Sequence, residues 1–431
     1  MIKLLIISDD FTGALDTGVQ FAEKGARTYV MVDSQIDYTK ISSNIEVLVI
    51  DTETRHLDKD EAYKIVFSIV QEASKIGIPY IYKKTDSALR GNIGAELTAA
   101  VRASGRKHIN FVPAFPQMNR TTINGIHYIN GVPLAQSVFG KDPFEPVRYS
   151  DIKEIIASQS EVGTHIIGKK PIESLASIEG ILVYDSSSKE DIENIATELM
   201  QKDEMHLIAG CAGFASILPE VLKLGGEKPQ IPELNRNMLI ACGSVNPVSV
   251  AQCDYAESKG APRYRLTPEQ KLDPNWAESC EADALIEEIY DSCKENHIVI
   301  LDTNDRENVE NTAIYAQKNG ITPAQMRTYI VSGIGIILKR LIDKGLESTI
   351  FIIGSDSLNG FVCQAGIKLI SPICEIECGV VLSQFEYNGK ILNLISKSGG
   401  FGQKTIFNDL FKVLSKLNEG KNISDACKIQ S

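Results

Sequence analysis

The sequence holds nothing near the roughly 20 consecutive apolar residues that a membrane-spanning helix needs. Its longest apolar run, Ile334 to Leu338, is interrupted by Gly335 and followed by Lys339 and Arg340. Positive charge is scarce as well: 44 Lys and Arg against 56 Asp and Glu leave a formal net charge of −12, a field that opposes approach to nucleic acid or an anionic membrane surface. Paired cysteines are missing. Nine are scattered from Cys211 to Cys427, none lies in the first 210 residues and none forms a CxxC pair, so reduced structural thiols are expected in place of a disulfide framework or a zinc knuckle. Met1 to Ile7 carries one lysine and a very short apolar run before Asp9, unlike a secretory signal, and a cytoplasmic location is expected. There is no GxGxxG and no GxSxG, which weighs against a dinucleotide-dependent dehydrogenase and a serine hydrolase. A Walker loop needs GxxxxGK[ST], and the run ending Gln403-Lys404-Thr405 has glutamine where its second glycine should stand.

What is present is an ordinary globular composition, 43% hydrophobic and 23% charged, in 431 residues. That length exceeds one ordinary core and calls for two or three domains. The best boundary is Gly225-Gly226-Glu227-Lys228-Pro229-Gln230-Ile231-Pro232, which suggests domains over 1–228 and 229–431. Within each, short apolar runs alternate with helical patterns. Lys3 to Ser8, Arg27 to Val32, Ile45 to Asp51, Ile78 to Tyr82, His108 to Val112, Ile181 to Tyr184 and His206 to Ala209 read as strands of the first half. Asn237 to Cys242, His297 to Asp302, Thr349 to Gly354 and Ile391 to Ile395 read as strands of the second. The fold class expected is α/β in two domains, each with a largely parallel sheet flanked by helices.

In such sheets ligands bind at the carboxyl ends of the strands, and chemistry-bearing residues gather there. Asp9-Asp10-Phe11-Thr12-Gly13 follows the first strand, and two adjacent carboxylates at a strand end suit a ligand or a metal better than packing. Their adjacency lacks the intervening residue of the DxDx[TV] pattern of haloacid-dehalogenase phosphatases. Arg55 follows another strand end. The run Tyr82-Lys83-Lys84-Thr85-Asp86-Ser87-Ala88-Leu89-Arg90-Gly91-Asn92 crowds cations, a carboxylate and hydroxyls into a strand-to-helix turn, where lysine and the Arg90 fork suit an anion and Asp86 suits hydroxyl groups. From Pro113 to Tyr149 the periodicity breaks into a long aromatic-bearing segment, expected to be a wall or lid. His127 within it is either a base or a histidine hydrogen-bonded in its hairpin. In the second half Gly243-Ser244-Val245-Asn246, Gly354-Ser355-Asp356-Ser357 and Ser398-Gly399-Gly400-Phe401-Gly402 each put small residues where backbone amides can approach a phosphate.

As a set these motifs resemble the four-carbon acid sugar kinase family, over nearly the whole chain. The carriers are Asp9 to Gly18, Lys83 to Asn92, Pro113-Ala114-Phe115-Pro116, Asp142-Pro143, Gly243-Ser244 and Lys397 to Gly402. The resemblance implies a kinase that uses ATP and Mg2+ to phosphorylate the terminal hydroxyl of threonate, erythronate or 3-oxo-tetronate, with an acid-sugar domain followed by a nucleotide domain. It places Asp10, Arg55, Lys84, Thr85, Asp86 and Ser87 on the acid sugar, to which the reading of the turn adds Arg90. Ser244, Gly354, Ser355, Asp356, Ser357, Leu358, Gly399, Gly400, Phe401 and Gly402 fall on ATP. Asp10 or Asp86 is the expected base, the metal ligands are left open, and the two domains are expected to close on each other. The family's usual second hydroxyl after Gly243-Ser244 is replaced by Asn246, and its Gly-Asn-Phe-Gly by Gly399-Gly400-Phe401-Gly402. The partners expected are a small sugar acid and ATP, with neither nucleic acid nor membrane, and homo-oligomerisation is left open. The alternatives are a noncatalytic two-lobed sugar-acid binder and another α/β enzyme acting on small hydroxy acids.

Overall fold

Short apolar runs of this sequence become strands buried on both faces, and segments with apolar residues at helical spacing cover them. The computed structural model describes residues 2–32, 38, 41–141, 146–168, 175, 177–305 and 311–417, with side chains through Leu414 in the last helix. The Asp142-Pro143 motif and residues 306–310 lie outside the described residues. Internal contacts divide the chain into Met1–Pro229 and Gln230–Ser431.

In the first unit the strands are β1 (Leu4–Ser8), β2 (Thr28–Met31), β3 (Val47–Asp51), β4 (Tyr80–Lys84), β5 (His108–Val112), β6 (Arg120–Ile123), β7 (Ile126–Ile129), β8 (Val132–Pro133), β9 (Thr164–Ile167), β10 (Gly180–Tyr184) and β11 (Leu207–Gly210). Its helices are α1 (Phe11–Ala22), α2 (Lys59–Lys75), α3 (Ile93–Ser104), α4 (Ile152–Ala157), α5 (Lys189–Gln201), α6 (Ala212–Ala215) and α7 (Leu218–Val221). A parallel sheet runs β2-β3-β1-β4-β11-β5-β10-β9. The chain leaves β1 for the outer β2, returns to β3, then crosses β1 to reach β4. This reversal is a topological switch point, where an open α/β sheet takes its ligand. Right-handed crossovers put the helices on both faces: α2 packs on α3, and α1 on α6. In α2 the buried residues Ala62, Val66, Ile69, Val70 and Ala73 recur at helical spacing, and each fully buried aliphatic chain contributes about 1.5–3 kcal/mol.

Two features depart from the sequence reading. β4 begins two residues later than the apolar run Ile78 to Tyr82, so Lys83 and Lys84 lie inside the strand and are buried. The hairpin expected at 125–131 is part of a three-stranded antiparallel sheet, β6-β7-β8, bridged to the main body at Thr122–Ser186 and Ile126–Asp151.

The second unit holds β12 (Met238–Cys242), β13 (Arg263–Arg265), β14 (Ile298–Asp302), β15 (Thr349–Ile353), β16 (Leu369–Glu377), β17 (Val380–Tyr387) and β18 (Lys390–Lys397). They are covered by α8 (Pro247–Ser258), α9 (Pro268–Leu272), α10 (Cys280–Glu295), α11 (Thr312–Lys318), α12 (Pro323–Asp343), α13 (Ser355–Ala365) and α14 (Ile406–Leu417). The sheet order β13-β14-β12-β15-β18 is parallel, and β18-β17-β16 continues it as an antiparallel meander. The full meander is not apparent in the sequence, because register shifts at Pro372/Cys374 and Glu375/Glu377 break the two-residue period of β16. Among the described residues no helix is long and apolar enough to cross a membrane, and every cysteine is a free thiol.

Candidate functional site

Parallel register carries Ser8, Asp51 and Lys84 side by side to one edge of the first sheet. Asp10 leaves β1 as the N-cap of α1: its Oδ1 accepts the Gly13 N–H at 3.2 Å and its Oδ2 the Thr12 hydroxyl at 3.1 Å, satisfying donors that a helix start leaves open. Arg55, just beyond β3, then closes on both carboxylates. Its Nε donates to Asp9 Oδ2 at 2.7 Å, and its terminal nitrogens lie 2.9 and 2.7 Å from the two Asp10 oxygens. Asp86 Oδ1 stands 3.8 Å from the same guanidinium. Arg55 is therefore at the edge the sequence assigned to it, with its donors already engaged by the chain's own carboxylates.

Asp86 is wrapped by its own turn. It accepts the N–H groups of Ala88 and Arg90, each at 3.3 Å, and the Arg90 side chain through Nε at 2.8 Å and a terminal nitrogen at 3.1 Å. Burial pushes its carboxyl up, but the Arg90 and Arg55 charges outweigh it and hold Asp86 well below the usual carboxylate range. For Asp9 burial is again opposed, by Arg55, Lys84 and Lys83, and the carboxyl ends below its ordinary value. The arrangement makes Asp86 a fixed anion that aims Arg90, and a weak proton acceptor.

Lys84 differs from all of these. It is 4% exposed, and its ammonium makes no hydrogen bond or ion pair with a described residue. It stands over Gly13, where an added Cβ would fall 2.7 Å from Lys84 Nζ and 2.3 Å from Asp10 Oδ1. A buried ammonium without a partner is costly, and the glycine keeps open the space in which an anion can reach it. The Thr85 hydroxyl beside it is also buried and without a partner among the described residues. Ser87 is tied on both sides: its hydroxyl accepts from Arg120, and its carbonyl from His127 Nε2 at 3.1 Å. With Nε2 donating, His127 Nδ1 accepts the Thr122 hydroxyl at 3.0 Å. Burial pushes this imidazole down to about 4, so His127 is a neutral brace of the hairpin and not a base. Arg90 and Arg120 each lie 5.4 Å from the centre of the Phe139 ring, which makes the long segment a wall of this edge. Arg120 and the fully buried pair Lys83–Glu96, 2.9 Å apart, escaped the sequence reading; an arginine inside a segment already expected to be a wall was the available signal.

In the second unit β12, β15 and β18 are neighbours in one parallel array, so their three turns rise from one edge. They touch. A Cβ on Gly399 would meet Ser244 Oγ at 2.2 Å, one on Gly243 would meet Ser357 Oγ at 1.8 Å, and one on Gly354 would lie 3.6 Å from the Ser244 backbone nitrogen. Gly354 has φ +102° and opens α13 with no side-chain cap, so this helix start, with Asp356 and Ser357 in its first turn, presents the kind of N–H groups that seat an anion. Asp356 is bonded to Arg327 at 2.9 and 2.5 Å. Leu358 is wholly buried and its N–H donates to the Gly354 carbonyl at 3.1 Å, so it belongs to the core beneath the turn. Asn246, at the position of the missing hydroxyl, accepts the Val248 N–H at 3.0 Å and caps α8.

The glycine turn after β18 is held from within. Lys397 Nζ donates to the carbonyls of Ser398, Gly399 and Phe401 at 3.0, 3.4 and 3.1 Å. Gln252 Nε2 reaches those of Phe401, Gly402 and Gln403 at 2.9, 3.0 and 3.1 Å, and the Ser249 hydroxyl donates to Gly399 at 2.7 Å. Because C=O and N–H of one planar peptide point opposite ways, capturing the carbonyls inside turns the following N–H groups of Gly399, Gly400, Gly402 and Gln403 outward. Lys397 is fully buried, and burial lowers its pKa to about 8. Among the described residues no group of three His, Cys, Asp or Glu side chains is placed to hold a metal ion.

Comparison with known proteins gives concordant matches. Residues 4–218 match a family model described as a sugar-binding N-terminal domain, and residues 239–407 one described as a nucleotide-binding C-terminal domain. A D-threonate kinase of Salmonella typhimurium is 31% identical over 96% of this chain and 99% of its own length. A D-erythronate kinase of Heliobacterium modesticaldum is 25% identical over 85% and 86%, and a 3-oxo-tetronate kinase of Pseudomonas fluorescens 23% identical over 96% and 97%. Solved structures share the fold: one from Salmonella typhimurium has a TM-score of 0.74 at 20% identity, covering 95% of this chain and 98% of its own, and one from Haemophilus influenzae 0.66 at 19% identity, covering 96% and 100%.

Proposed function

Since this chain belongs to the four-carbon acid sugar kinase family, we propose that it transfers the γ-phosphoryl group of ATP to the terminal hydroxyl of a four-carbon acid sugar of the threonate, erythronate or 3-oxo-tetronate class. The observation that carries the reading is Lys84: a buried, partnerless ammonium at the switch point of the first sheet, walled by carboxylates that are already bonded to Arg55 and Arg90. Such a pocket has one strong attraction to offer, to a small anion, and it surrounds that anion with acceptors and hydroxyls that suit a polyol. In this reading Lys84 and Thr85 receive the acid's carboxylate, Arg55 fixes Asp10 against the ligand, and Asp86 with Arg90 and Ser87 shapes the far wall. The triphosphate lies at the turns of Ser244, Gly354 to Ser357 and Gly399 to Gly402, against the outward N–H groups of Gly399, Gly400 and Gly402. Phosphoryl transfer then relies on positioning and charge stabilisation.

The donor set here suits Mg2+ carried by the nucleotide: with no three-ligand cluster among the described residues, phosphate oxygens and water would supply most of its shell, as is usual for this ion. When bound it neutralises charge on the phosphate oxygens. A coupled ADP assay across D- and L-threonate, D- and L-erythronate and the 3-oxo acids tests the reading. ADP formation that depends on one of these acids is expected, and none with any of them would refute it.

A further inference from the structure

The carboxylates around the first edge divide into spent and unspent. Asp9, Asp10 and Asp86 are bonded to Arg55, Arg90 or backbone amides. Asp51 accepts the Glu53 N–H at 3.3 Å, and its other oxygen is shut away from solvent. Asp16 is different. It lies three residues after Gly13 on α1, hence on the same face of the helix, and Cβ atoms in a helix lean toward its N-terminus, here toward the turn where Lys84 Nζ stands against Gly13. Asp16 is partly exposed, and its carboxylate makes no hydrogen bond or ion pair with a described residue. Lys84 and Arg120 nevertheless lie within electrostatic reach of it. If packing were their purpose, Lys84 and Asp16 would have closed into an ion pair. Both instead remain without a partner among the described residues, Lys84 over Gly13 and Asp16 one turn further along the same helix.

We propose that Asp16 is a catalytic residue of this kinase: it orients the substrate's terminal hydroxyl and accepts its proton while Lys84 holds the carboxylate end. The proposal rests on the kinase reading above. In the step, the hydroxyl oxygen forms a bond to the γ-phosphorus as its proton passes to an Asp16 oxygen. The bond from that phosphorus to the β,γ-bridging oxygen breaks, and its electron pair leaves on ADP. Asp16 later releases the proton to water.

The groups facing Asp16 are Lys84 and Tyr82 from β4, Asp10 at the start of α1, Arg120 from β6 and Cys211 at the end of β11. Burial pushes the Asp16 carboxyl up to about 6, with Lys84 and Arg120 opposing and Asp10 adding. Burial also raises the Tyr82 hydroxyl and the Cys211 thiol, so neither titrates near neutrality. A base near 6 is ionised at pH 7 yet basic enough to help the transfer.

The test uses the full chain with saturating ATP and Mg2+ and the tetronate that the unaltered protein turns over. Asp16→Asn should lower kcat about 100-fold or more, with the KM of acid and of ATP each within about twofold. The unaltered enzyme should lose rate below pH ~6, where Asp16 takes up its proton, and Asp16→Asn should lose that acid limb. An Asp16→Asn protein with ordinary kcat and an intact limb overturns the proposal alone. If this variant does not fold, Asp16→Glu decides: a displaced limb with lowered kcat supports the role, and an unchanged profile ends it. An unaltered protein that makes no ADP with any tetronate sinks the kinase reading itself, a separable outcome.

Discussion

Arg55 holds two buried carboxylates in place, and its removal exposes what that costs. Arg55→Ala leaves Asp9 and Asp10 facing each other without their shared cation, a loss of about 3–5 kcal/mol for a broken buried pair. The melting temperature should fall, and the KM for the sugar acid should rise far more than that for ATP. An unchanged acid KM would remove Arg55 from the site. Arg55→Lys should not restore it, because one ammonium cannot present Nε to Asp9 and two terminal nitrogens to Asp10 at once. Gly13 gives the complementary case. Alanine is the better helix former by about 1 kcal/mol, yet its Cβ would stand 2.7 Å from Lys84 Nζ and 2.3 Å from Asp10 Oδ1. Gly13→Ala should therefore raise the acid KM at least about tenfold and, because Asp10 must leave its Arg55 and Gly13 N–H partners to admit the methyl, lower the melting temperature as well, read by calorimetry alongside initial rates. An unaltered KM would mean that the space over Gly13 is not where the acid lies.

At the scale of elements, the second site depends on a turn whose carbonyls are pinned from below. Lys397→Met removes a donor from the carbonyls of Ser398, Gly399 and Phe401, and Gln252→Leu one from Phe401, Gly402 and Gln403, so the two share Phe401, and each buried acceptor left with no donor costs about 1–3 kcal/mol. Either change should raise the KM for ATP about tenfold or more and leave that for the acid within twofold. The Lys397 ammonium is present below about pH 8 and lost above it, so the ATP KM should climb as pH passes 8. Lys397→Arg should flatten that climb. Equal ATP affinity in all variants would deny the turn its role. Such supports are hard to see in a sequence. The alternation of strands and helices was legible because parallel strands buried on both faces read as continuous apolar runs, β1, β3 and β12 among them. The motif-bearing turns were legible because polar and glycine residues interrupt those runs at strand ends. Gln252 was not, since it occupies a position on a helix where a polar residue reads as solvated surface, and only its hydrogen bonds to Phe401, Gly402 and Gln403 show otherwise; Asp16 sits inside the Asp9 to Gly18 motif, but nothing in that motif singles it out from its neighbours. The sequence places β4 two residues early because two lysines look like a turn, and nothing local announces that Glu96, on α3, receives Lys83.

Across the whole molecule the net charge of −12 repels both substrates, which are anions, so each needs a local attraction: in the proposed reading, Lys84 in one unit and outward N–H groups in the other. The two units bury separate cores, and each ligand has its own unit to stabilise. A ligand at about 100 times its Kd adds about 2.7 kcal/mol to the state that binds it, enough to slow local opening roughly 100-fold. In hydrogen exchange the sugar acid should protect residues 9–16, 52–57 and 84–91, the ends of β1, β3 and β4. MgATP should protect 243–249, 354–358 and 398–403, the ends of β12, β15 and β18. Neither pattern follows from composition or from strand count; each follows from parallel register, which brings turns far apart in sequence to one edge of one sheet. Protection of the first set by ATP, with the second unmoved, would exchange the roles of the two units and leave the Lys84 pocket as a phosphate seat.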